Sequence, residues 1–135
     1  MRPDTLAQAA ELVASGHSLD TALRGFLDEF YLAPTSEQKS SMLMDEPAPT
    51  GDPRYDGLFG AVAEYLAHQF ALPHIPAWAF SASRYLDRPW HPSSMTDAGM
   101  REYLTFASPA EFASRNIFTE EQPLRRARGP RPAGT

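Results

Sequence analysis

One apolar stripe constrains this chain more than any other feature. Leu19, Leu23, Phe26, Leu27, Phe30 and Tyr31 recur at helical spacing behind Ser18, a residue suited to cap a helix start. Asp28 and Glu29 fall outside that stripe. A second segment, residues 4–15, repeats Leu6, Ala9, Ala10 and Val13 on one face, with Asp4 as the expected N-cap and Gly16 as the stop. The short link through Gly16 and His17 predicts a helical hairpin over residues 1–33.

Residues 34–53 interrupt the pattern. Pro34, Pro47, Pro49, Gly51 and Pro53 with interspersed Ser and Thr predict an internal proline-rich linker or loop. Its only apolar cluster, Met42–Leu43–Met44, is expected to dock on the core. Helical periodicity resumes over residues 54–71, where Tyr55, Leu58, Phe59, Val62, Tyr65, Leu66 and Phe70 form a wide face. Glu64 and His68 fall on the opposite, solvent side, four residues apart, where they can pair weakly. Pro73 and Pro76 end that helix.

The aromatic stretch 74–92 admits a short helix at 77–83, and a further helix is expected over 96–107. SPAE at 108–111 reads as a capping box with proline at the first helical position. It starts a last helix over 109–115 that Asn116 can close in the left-handed region. Ile117 and Phe118 are expected on the core, and the tail 129–135 is expected to be disordered. The expected fold is therefore all-α: a small single-domain bundle of about five helices, with residues 54–128 as its C-terminal helical region. At 135 residues, such a chain can bury roughly two thirds of its unfolded surface without staples.

Several kinds of chemistry lack their signatures. The absence of cysteine removes disulfides and thiolate metal sites and fits a reducing, cytoplasmic compartment. The first residues have no apolar signal-peptide region, and no apolar run approaches the length of a membrane span. Glu64, His68, His74 and His91 match no zinc spacing. No G-x-S-x-G, phosphate-loop or dinucleotide motif occurs. No catalytic residue, metal or cofactor is assigned, and the chain is expected not to be an enzyme.

Charge is unevenly spread. Residues 1–71 carry four Lys or Arg against eleven Asp or Glu, a balance of −7; residues 72–135 carry eight against six, or +2. An acidic first half opposes nucleic acid and suits a basic protein partner. A DNA-reading role for the second helix is disfavoured because Asp20, Asp28 and Glu29 accompany Arg24 there. The tail arginines 125, 126, 128 and 131 leave weak phosphate contact open.

Trp78 and Trp90, with Arg84, Tyr85, Asp87 and Arg88 near them, supply residue types enriched in binding hot spots. Tyr85, Leu86 and Trp90 read as core. Arg84, Arg88 and Arg115 read as surface contacts. The expected partner-binding set is Trp78, Arg84, Asp87, Arg88, Arg115 and Asn116, with the linker 34–53 beside it.

The series IPAW (75–78), RYLDRPWH (84–91), MREYLTFASPAEFASRNIF (100–118) and LRRA (124–127) resembles a family of bacterial antitoxin-like proteins and regulators encoded beside nucleotidyltransferase-like toxins. Its most specific part is Ser108, Pro109, Phe112, Arg115, Asn116, Ile117 and Phe118. The chain departs from the family pattern at Ala113 and Ser114, where arginines are expected, and no helix-turn-helix domain precedes the block. The resemblance implies a protein that binds and neutralises a toxin. The alternatives are a DNA-binding regulator or accessory domain, and an enzyme with a site near His68, His74 or His91.

Overall fold

The structure is a computed structural model and describes residues 2–92, 108–119 and 124. Among these residues it is all-α. The helices are α1 (Leu6–Ala14), α2 (Leu19–Leu32), α3 (Ser36–Met44), α4 (Pro53–Gln69) and the single turn α5 (Ala110–Ala113), with 3₁₀ turns at Ala77–Phe80 and Ala82–Arg84. The one β-type pairing among them is an isolated parallel bridge between Trp90 and Ile117. The expected helix at 96–107 and the tail from 129 lie outside the described residues. No helix among those described is long and apolar enough to cross a membrane.

α1 and α2 pack as the expected hairpin. The cap of α1 is Thr5 rather than Asp4: the Gln8 N–H donates to Thr5 Oγ1 at 3.1 Å, and the Gln8 side chain accepts from the Asp4 N–H at 2.6 Å. A Thr-x-x-Gln pair thus starts the helix. Gly16, at φ 109°, closes it, with the His17 N–H on the Leu12 carbonyl and the Gly16 N–H on that of Val13. Ser18 caps α2 through the Thr21 N–H at 3.1 Å.

The expectation of a structureless linker at 34–53 is corrected. No proline or glycine lies between Thr35 and Glu46, and a nine-residue helix fits in that gap. Thr35 caps it by accepting from the Gln38 N–H at 3.1 Å, the same Thr-x-x-Gln signal as at α1. Its apolar stripe is too narrow to stand out: Leu43 is buried, Met42 half-buried and Met44 exposed.

α4 is the axis of the molecule. Gly57 to Ala63 are all buried, as are Tyr65, Leu66 and Ala67. The 3₁₀ turns and α5 pack against α4, which α1 also meets. The core is continuous, joining Leu6, Phe26, Phe30, Leu43, Phe59, Leu66, Trp78, Phe112 and Ile117 in one cluster. Each such large side chain contributes about 1.5–3 kcal/mol by leaving water. Asp52 caps α4 through the Arg54 N–H at 2.9 Å, with Pro53 at the first position. The helix ends with Ala71 at φ 49° and the Leu72 N–H on the Ala67 carbonyl.

Two glycines on α4 let the following segment approach closely. A Cβ at Gly60 would lie 2.9 Å from Arg84 Cβ, 3.2 Å from the Ala79 carbonyl oxygen and 3.3 Å from Arg115 Nε. A Cβ at Gly57 would lie 3.0 Å from Leu86 Cδ2 and 3.2 Å from the Arg84 carbonyl oxygen. This flat strip lets two arginines lie against a helix backbone.

Candidate functional site

Three of the six residues expected to meet a partner are inside the molecule. Arg84 is 3% and Arg115 0% exposed, so the expectation that they are surface contacts is corrected. Trp78 is also buried, and its indole N–H donates to the Leu43 carbonyl at 3.0 Å, pinning the end of α3. A buried guanidinium needs acceptors for its donors, and the fold supplies them mainly from backbone.

Arg115 Nη1 donates to Glu64 Oε1 and to the Glu111 carbonyl, both at 2.7 Å, and Nη2 donates to the Ala79 carbonyl at 2.7 Å. Its guanidinium lies 4.6 Å from the Tyr85 ring centre and 5.8 Å from that of Phe80. Arg84 donates to the Pro47 carbonyl at 2.8 Å and to that of Asp56 at 3.1 Å, with the Glu46 carboxylate at 3.5 Å and the Trp78 ring centre at 4.8 Å. Together the two arginines tie α4 to α5, to the 3₁₀ segment and to the strand of chain after α3. Nε of each has no hydrogen-bond partner among the described residues.

Glu64 and His68 do not pair with each other on a solvent face, as the spacing suggested. Glu64 turns to Arg115, and His68 Nδ1 meets Glu111 Oε2 at 2.5 Å. Burial, and secondly the Glu111 carboxylate, raises the Tyr65 phenol above its usual range. The capping role expected of Ser108 is also corrected. Its hydroxyl donates to the Thr119 carbonyl and accepts from the Thr119 N–H, while α5 starts at Ala110 without a side-chain cap.

Asn116 closes α5 as expected, at φ 64°. Its amide also donates to the Leu86 carbonyl at 2.7 Å, and its own carbonyl accepts from the Trp90 N–H at 2.8 Å. The Phe118 N–H returns to the Trp90 carbonyl at 3.0 Å, and the Phe118 ring lies 5.5 Å from that of His91. The block from Phe112 to Phe118 is therefore a clamp on residues 86–91. Of the six residues expected to bind a partner, only Asp87 and Arg88 are exposed, and neither forms an ion pair among the described residues.

A surface feature that periodicity did not reveal lies at the other end. A groove of about 380 Å³ runs between the start of α1, the end of α2 and one face of α3. Asp4 and Glu29 supply carboxylates, Ala33, Pro34 and Met42 supply apolar wall, and Gln38 and Ser41 line the α3 side. The only cation of α3, Lys39, is committed elsewhere: its ammonium donates to the Ala33 carbonyl and lies 5.1 Å from the Phe70 ring centre. Burial lowers its pKa. No group of three or more His, Cys, Asp or Glu among the described residues could hold a metal.

A scan against protein-family models and searches of curated proteins and of solved structures returned no match for this chain.

Proposed function

We propose that this chain is a bacterial, cytoplasmic antitoxin-like protein that binds a basic partner enzyme of the nucleotidyltransferase type and neutralises it by covering its active site. The observation that carries the reading is the distribution of charge between inside and outside. Glu11, Asp20, Glu37, Asp45 and Glu46 on or beside the first three helices are exposed, while Arg84 and Arg115 are withdrawn into the core. Among the described residues on and beside these helices the exposed charge is therefore mainly acidic, with only Arg2 and Arg24 exposed against it. An enzyme that holds nucleotide phosphates presents a basic active site, and opposite potentials speed and orient such an encounter.

The resemblance carried by the segments from Ile75 to Ala127 to antitoxin-like proteins supports the same reading. Co-expression with the product of the neighbouring gene tests it. The expected result is a stable complex and relief of growth arrest; the absence of both sinks the proposal.

A further inference from the structure

We propose that the groove between α1, α2 and α3 receives an arginine-bearing segment of the partner protein. This inference rests on the antitoxin reading and names where the contact is made. The groove is of the size of small-ligand clefts, about 300–1,000 Å³. Its two charged lining residues, Asp4 and Glu29, are both acidic. Glu29 is half-buried and shares a loose ion pair with Arg2 at 3.9 Å, too long for a hydrogen bond. The Glu29 carboxylate therefore keeps acceptor capacity at the groove.

Charge complementarity selects the occupant. A guanidinium matches a carboxylate with a planar fork of donors and is weakly hydrated, so its face can lie on an apolar wall. Pro34 and Met42 offer that wall, and the aliphatic stem of an arginine covers such surface. Lys39 does not compete, because its ammonium is held by the Ala33 carbonyl and the Phe30 and Phe70 rings.

The test uses the full chain and a fluorescent peptide of alternating arginine and leucine, followed by anisotropy at low and high salt. Saturable binding that salt weakens is expected, with none for the glutamate-for-arginine peptide. The D4N/E29Q variant should bind about tenfold more weakly. Ser41→Arg, at an exposed helical position, should abolish binding by placing a cation at the groove, while Glu37→Gln, outside it, should leave affinity within about twofold. No peptide binding at low salt, or an equal loss in E37Q and D4N/E29Q, overturns the proposal. In the co-expression assay, a complex that survives S41R overturns the groove and leaves the antitoxin reading standing. Retained peptide binding without any complex supports the groove and overturns that reading.

Discussion

Arg115 and Glu64 stand fifty-one residues apart in sequence and 2.7 Å apart in space, the arginine wholly buried and the carboxylate mostly so. The pair joins α4 to the chain just past α5, and the same guanidinium holds the Ala79 and Glu111 carbonyls. Removing one member of a buried pair leaves the other uncompensated, which costs about 3–5 kcal/mol. Arg115→Met is therefore expected to lower unfolding free energy by about that amount in urea denaturation. The Glu64→Leu/Arg115→Met double variant should recover part of the loss, because the orphaned carboxylate goes too. A double variant no better than the single would show that the backbone carbonyls, not the ion pair, dominate.

Gly60 should tolerate no side chain. The 2.9 Å approach of a Cβ to Arg84 Cβ is not a flexible side-chain end that can swing away. Gly60→Ala is expected to cost about 1–3 kcal/mol through overpacking, despite the better helix propensity of alanine. An unchanged or raised melting temperature would contradict this packing.

Ala71 sits at φ 49° on an exposed helix end. The left-handed conformation costs an L-residue about 1–2 kcal/mol, and glycine avoids it. Glycine loses about 0.4–1 kcal/mol through its freer unfolded chain. Ala71→Gly should therefore stabilise by about 0.5–1 kcal/mol, read as a higher urea midpoint at unchanged slope.

The fold was legible where local chemistry had one solution. The stripe on α2, Ser18 as its cap, Gly16 as a stop and Asn116 in the left-handed region each followed from a residue type and its position. α3 was hidden because Pro34 precedes it and Pro47, Pro49 and Gly51 follow it, although Thr35-x-x-Gln38 marked its start. Arg84 and Arg115 were misplaced for a different reason. Arginine is rarely buried, and the acceptors that permit it here are backbone carbonyls of residues 47, 56, 79 and 111, brought together only by the tertiary fold. The groove joins Asp4 before α1, Glu29 of α2 and Met42 of α3, a juxtaposition that no single-helix period contains.

Asp52 gives the fold an acid-side dependence. Its carboxyl is held below the usual range, first by the hydrogen bond from the Arg54 side chain, and burial opposes this only in part. A depressed folded pKa contributes stability above the unfolded value, about 3.9, and loses it as pH falls through the folded value. Asp52→Asn keeps a capping side chain and should flatten that acid limb; Asp52→Ala should also cost about 1 kcal/mol at neutral pH through the lost cap. Urea denaturation between about pH 2 and pH 7 checks both.

Under the proposed function, this acidic helical chain occludes a basic enzyme. The most direct measurement is titration of the purified chain into the purified product of the neighbouring gene, following heat and nucleotidyl transfer together across a salt series. The account predicts stoichiometric inhibition that tracks binding, with affinity falling as salt rises. Full enzymatic activity at saturating chain, with no heat of binding at low salt, would contradict it.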